Sequence, residues 1–173
     1  AALVGLGIAN YVFTSRIEQR YNRMIEHDIA HLHHLNLLGI ELSNRQRYLL
    51  NLATLDDRAE IEGFMAKVTA ARHRADVILN DCRGTPDASE SRQDLIALEA
   101  TLQIYNRLNA DYIRLIIENR TEEALDLNAQ SMRPVYEKAT GQMLAMAANT
   151  RSRTEQSSRR SGRSITRTRA ILL

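Results

Sequence analysis

Arg45, Arg107 and Arg133 stand in the sequence among Tyr48, Tyr105, Asn109 and Tyr136. Together these residue types suit a small anion. A guanidinium fork matches a carboxylate with two parallel hydrogen bonds. Tyrosine adds an apolar wall with a polar tip, and asparagine adds an adaptable donor and acceptor. Arg58 and Arg114 are available as a lid. The bland alternative is that these arginines pair with Asp111, Glu137 or Glu41, or face water. A rival constellation is His27, His31 and His34, at i, i+4 and i+7 on one helical face, with Asp28 beside them. A histidine pair at that spacing is able to hold zinc, but no second helix clearly supplies another ligand at that level. We therefore expect no metal and no cofactor. There is no glycine-rich phosphate loop, no nucleophile elbow and no carboxylate pair suited to acid–base work, so no catalytic residue is assigned and no enzyme is expected.

The anion residues need long helices to bring them together. From Ile17 to Leu55 the sequence reads as one uninterrupted helix. Ile17, Tyr21, Met24, Asp28, His31, Leu35, Leu38, Leu42, Arg45, Leu49 and Leu52 follow at alternating steps of four and three, the spacing of a heptad seam. Arg45 stands out, because a desolvated charge on such a seam costs roughly several kcal/mol unless something pairs with it. Asp56-Asp57 makes a turn with a helix cap. A second helix covers about 58 to 82, with Ile61, Met65, Val68, Arg72, Ala75, Leu79 and Cys82 as its seam. Gly84 and Pro86 end it. A third covers about 87 to 118 on Leu95, Leu98, Leu102, Tyr105, Asn109, Tyr112 and Ile116. The fourth opens at Thr121 with Glu122 and Glu123, and carries Ala124, Leu125, Met132, Val135, Ala139, Met143 and Met146. Pro134 should kink it or start it afresh. Short turns force up-down-up-down neighbours. Counting from the turns at one end puts Arg45, Arg107 and Arg133 at similar depth, roughly 15 Å down.

Composition agrees with an all-α antiparallel four-helix bundle. The 173 residues are 44% apolar but only 5% aromatic, which disfavours a sheet protein. A net charge of +2 gives no overall bias toward nucleic acid. Arginine crowds the last stretch from Arg151 to Arg169, yet no aromatics are interleaved for base stacking. Cys82 is the only cysteine, so no internal disulfide forms.

Both ends are apolar. Residues 1–13 carry no charge, and the chain closes on Ala170-Ile171-Leu172-Leu173. We read 1–13 as the end of a first transmembrane helix, 14–168 as the bundle domain with its long first and last helices forming a stalk, and 169–173 as the start of a second transmembrane helix. The lower seam of helix 1 (Ile17, Tyr21, Met24) lies where helices 2 and 3 no longer reach, so we expect a homodimer through helix 1.

This arrangement resembles the extracytoplasmic four-helix-bundle sensor domain of bacterial methyl-accepting chemotaxis receptors. The resemblance rests on SRIEQRYNRMIEHDIAHLHHLNLLGIELSNRQRYLL (15–50), LEATLQIYNRLNADYIRLI (98–116) and ENRTEEALDLNAQSMRPVYEKATGQM (118–143), and covers nearly the whole chain. It implies a periplasmic domain anchored in the inner membrane at both ends. It further implies a small carboxylate, an organic acid or amino acid, bound toward the membrane-distal end, often at arginines. The signal then passes down the last helix by a small slide. Sensor histidine kinases carry similar domains. A ligand-free structural bundle and a histidine metal bundle are the remaining alternatives.

Overall fold

The computed structural model describes the backbone of residues 2–84 and 89–171. It describes side chains at Ser15, Gln19 and Asn22 and over 26–84 and 92–159. The ends expected within the membrane, 1–13 and 169–173, lie outside the described side chains. Among the described residues no helix is long and apolar enough to cross a membrane.

The chain is helical and has four helices, as the periodicity predicts: α1 (Ala2–Leu52), α2 (Arg58–Arg83), α3 (Ser89–Ile117) and a last helix built from α4 (Thr121–Leu127), a π-helical turn (Asn128–Met132) and α5 (Arg133–Ile171). The turns follow local chemistry. The Asp57 side chain caps α2 by accepting from the Glu60 amide at 2.9 Å. α3 ends on Asn119, whose φ of 57° is the left-handed conformation that asparagine tolerates. The Arg120 amide reaches back to Leu115 O (2.9 Å) and the Asn119 amide to Ile116 O (3.0 Å), closing the helix end. The last helix opens at Thr121 with Glu122 and Glu123 in its first turn, as the sequence reads, and Glu123 pairs with Arg120 at 2.6 Å.

The chain divides into two units, His33–Ala147 and the outer segments Ala1–Leu32 with Ala148–Leu173. The first is the four-helix bundle. Leu38, Leu42, Leu49 and Leu52 of α1 meet Val68, Ala75 and Leu79 of α2, Leu98, Leu102 and Tyr105 of α3, and Met132, Ala139 and Met143 of the last helix in one core. Each buried leucine contributes about 1.5–3 kcal/mol, and that burial fixes which way every seam faces. On α2 the stripe drifts from strict heptads: Ala71 is buried and Arg72 is exposed. From Val68 to Ala75 the buried stripe steps by three and then four, through Ala71, where the sequence reading steps by four and then three, through Arg72. Of the adjacent pair expected in the core of the last helix, Ala124 is buried and Leu125 is exposed.

In the outer unit, Thr154 Oγ1 donates to Asp28 Oδ2 (2.5 Å), bridging α1 and α5.

Beside Pro134 the last helix widens. The Arg133 amide donates to Asn128 O, five residues back rather than four. Proline has no amide hydrogen and its ring crowds the carbonyl four residues earlier, here that of Gln130. A wider turn relieves that crowding. The wide turn also lets Ala124, Asn128 and Met132 follow at two successive steps of four before the normal stripe resumes at Val135 and Ala139.

Candidate functional site: a buried arginine held by amides

Arg45 is 3% exposed in the middle of the bundle. Its Nη2 donates to Asn106 Oδ1 at 2.6 Å. In the orientation that satisfies both ends of its amide, Asn109 accepts from Arg45 Nε at 2.8 Å and from Nη2, and donates to the Tyr105 backbone oxygen at 3.2 Å. The guanidinium also lies over the Tyr105 ring, 4.5 Å from its centroid. All of these partners are neutral. The nearest charges are those of Arg72 and Asp76, which pair with each other at 3.9 Å. Burial therefore dominates and pushes the Arg45 guanidinium down to about 10.

The surface arginines behave differently. Arg74 holds Glu41 (2.8 Å), Arg83 holds Glu99 (2.7 Å), Arg58 holds Glu62 (3.2 Å) and Arg114 holds Asp111 (3.1 Å). Among the described residues, the desolvated arginine is supplied with amides while these solvated ones have carboxylates.

A polar chain leads from Arg45 to the last helix. The Tyr105 hydroxyl, fully buried, donates to Gln46 Oε1. Gln46 Nε2 donates to Asn128 Oδ1 at 3.1 Å, at the start of the π turn. Tyr136 stands 6.1 Å from Tyr105, ring to ring, and shares a hydrogen bond with Ser43 (3.1 Å). Burial raises the Tyr105 hydroxyl well above the usual phenol range, against the lowering effect of Arg45, so it stays a donor.

The sequence-predicted residues separate into an inner and an outer group. Arg45, Tyr105, Asn109 and Tyr136 come together. Tyr48 is half-buried and packs edge-on against Phe64, 6.1 Å away, on the α1–α2 side. Arg107 is exposed. It lies two residues from both Tyr105 and Asn109, about 200° around the helix, so their inward direction sends it outward. Arg133 is exposed and paired with Glu137 at 2.9 Å. It follows buried Met132 by one residue, which turns it off the core face. Arg58 and Arg114, the expected lid, are surface residues with local partners. Of the histidines, His27 is exposed, His31 is buried and His34 is half-buried. Among the described residues no three His, Cys, Asp or Glu side chains assemble into a metal site.

Gln46, Asn106 and Asn128 were not predicted. Asn106 carries a readable signal, being adjacent to Tyr105 and one turn before Asn109. Gln46 and Asn128 carry none, since glutamine and asparagine at half-exposed helix positions are ordinary.

One more buried polar group stands near this network. Tyr112 is fully buried, and its hydroxyl has no hydrogen-bond partner among the described residues. Leaving such a group unpaired costs about 1–3 kcal/mol. Burial alone pushes this hydroxyl up to about 12.

This architecture, a helical bundle with a polar layer inside it, agrees with a family comparison. Residues 1–165 match the model of the four-helix-bundle sensory modules for signal transduction. The chain belongs to this family. The match covers all four helices up to the late part of α5, in accord with the resemblance drawn from the sequence to the chemotaxis-receptor sensor domain. No curated protein and no solved structure matches the chain. The protein is thus a sensory module. Its core carries a desolvated guanidinium at the meeting of α1 and α3 and a polar connection to the last helix.

Proposed function

We propose that this sensory module binds a small carboxylate, an organic acid or an amino acid, at Arg45, with Tyr105 and Asn109 as direct partners and Asn106 beside them. In this reading it is the periplasmic domain of a chemoreceptor held in the inner membrane at both ends. The observation that carries the reading is the contrast between arginines. A buried cation with amide partners alone sits at a cost that a carboxylate offsets, and its fork is suited to taking one. Tyr136 stands beside Tyr105, whereas Tyr48, Arg107 and Arg133 face away from this site. A thermal-shift panel of organic acids and amino acids tests the proposal. A ligand at a hundredfold excess over Kd stabilises the domain by about 2.7 kcal/mol. If no acid in the panel moves the melting temperature, the reading is wrong.

The module works as a homodimer through α1. Support comes from a second stripe on that helix: Asn36, Ile40, Ser43, Arg47 and Leu50 recur at heptad spacing and are all exposed. Ile40 is 48% exposed in its centre. A second copy of α1 would cover it. Ile40→Glu is expected to weaken self-association at least tenfold in sedimentation equilibrium, through the buried-charge cost. Unchanged association would place the interface elsewhere.

A further inference from the structure

The Thr154 hydroxyl has two acceptors within reach and one proton to give. Its Oγ1 lies 2.5 Å from Asp28 Oδ2 on α1 and 3.0 Å from the Thr150 carbonyl oxygen on its own helix. A threonine hydroxyl carries a single hydrogen, so it serves one of them well at a time. All three residues belong to the outer unit. We propose that Thr154 is a two-position latch. Donating to Asp28, it ties α5 to α1; donating back to Thr150, it releases α5. The inference needs the last helix to carry the signal. It holds for any ligand, so it is independent of the carboxylate reading of Arg45.

The two positions are close in cost, as a latch requires. The contact with Asp28 has the length of a charge-assisted O–H···O bond, about 2.5–2.7 Å, which is the stronger kind. Breaking it orphans neither group. The hydroxyl falls back on Thr150, and the half-buried Asp28 carboxylate keeps its contact with water. Thr150 is 1% exposed, and His31, three residues along α1 from Asp28, is 7% exposed. The hydroxyl therefore stands at the edge of a packed layer, where its proton goes to a protein acceptor.

The two positions also differ in shape. A threonine hydroxyl bonded to the carbonyl four residues earlier shares an oxygen that the helix already uses, and it often bends the helix there. Donation to Asp28 instead joins the two helices at that level. A signal that bends or shifts α5 here exchanges one bond for the other, and the equilibrium moves by the difference between them.

The test is a double-mutant cycle, read by denaturant unfolding of the whole chain and by the basal output of a chimeric receptor without ligand. Asp28→Ala and Thr154→Val each remove the bond between the helices, whereas Thr154→Ser keeps the proton. Each of the first two is expected to raise the unfolding equilibrium constant about tenfold, the difference between a bond to a charged group and a neutral one. The double variant should go little further. In the chimera both should shift basal output in the same direction, again without adding, while Thr154→Ser follows the wild type. Additive effects overturn the inference, because the two side chains then act separately. Coupling in unfolding with basal output unmoved also overturns it, because the pair is then a structural clip only. Pro134→Ala in the same chimera locates that failure. If it moves output while the latch variants do not, the latch alone falls; if none of them moves it, the last helix does not carry the signal.

Discussion

Arg45→Met is expected to abolish carboxylate binding while leaving the bundle folded. A bidentate guanidinium–carboxylate contact comprises two charge-assisted bonds, each about 1.5–3 kcal/mol. Losing even 3 kcal/mol weakens Kd by more than a hundredfold at about 1.4 kcal/mol per decade. The unliganded domain should change much less, because two effects oppose. Methionine keeps the apolar stem and removes a cation whose burial costs about 3 kcal/mol, judged from its lowered pKa. It also leaves the Asn106 and Asn109 amide oxygens without their donor, at about 1–3 kcal/mol each. The two nearly cancel, so the melting temperature should move by only a few degrees. Arg45→Lys is the informative companion. It keeps the charge but not the fork, so binding should fall part of the way. A thermal-shift series with one binding acid reads all three proteins. Unchanged affinity in Arg45→Met would move the site to the surface arginines, Arg107 and Arg133.

The bundle was legible because burial is periodic and periodicity survives in sequence. The α3 seam from Leu95 to Ile116 is buried as spaced, and so is the α1 seam from Leu35 to Leu52, Arg45 included. Helix ends were legible where the capping residue is distinctive, as with the Asp57 carboxylate at the start of α2 and Gly84, whose backbone amide closes its end. The expectation failed where depth along the bundle was used without direction around the helix. Arg107 and Arg133 stand at a suitable level but on the wrong face, and a count from the turn carries no angle. Arg72 failed for a related reason: between Val68 and Ala75 a step of three then four and a step of four then three both fit the spacing, and only the direction around the helix chooses Ala71. The amide partners of Arg45 were hidden because an asparagine inside a helix looks alike whether it faces solvent or a guanidinium. Pro134 announced a disturbance, but proline alone does not say whether a helix will bend, break or widen.

That disturbance is the site of the second large expected effect, in Pro134→Ala. The substitution restores an amide hydrogen and removes the ring that crowds the Gln130 carbonyl, so the reason for the wide turn is reduced. The isolated domain should gain stability, with about 3 kcal/mol, the usual penalty of proline inside a helix, as the upper bound. Ligand affinity should stay close to wild type, because Arg45, Asn106 and Asn109 are on α1 and α3. Signalling by a chimeric receptor should nevertheless fall. The π turn is where the polar network meets the last helix: Arg45 lies over Tyr105, Tyr105 bonds Gln46, and Gln46 holds Asn128 at 3.1 Å. Asn128 also supplies the carbonyl that closes the wide turn with the Arg133 amide. A carboxylate that draws Arg45 away from its amides therefore acts on a chain that ends in this turn. A ligand shifts a conformational equilibrium only by the difference in its affinity for the two states. Couplings of 1–3 kcal/mol are typical, about the worth of one or two hydrogen bonds in such a chain. A wide turn beside a proline can change at that cost, whereas a regular helix, with every amide bonded, cannot. Hydrogen exchange over residues 128–133 provides the direct readout. Ligand should alter exchange there in the wild type, and in Pro134→Ala these amides should be slow with or without it. If the variant binds and signals as the wild type does, the signal leaves the site by another helix, and α1, which carries Arg45 itself, becomes the element to follow.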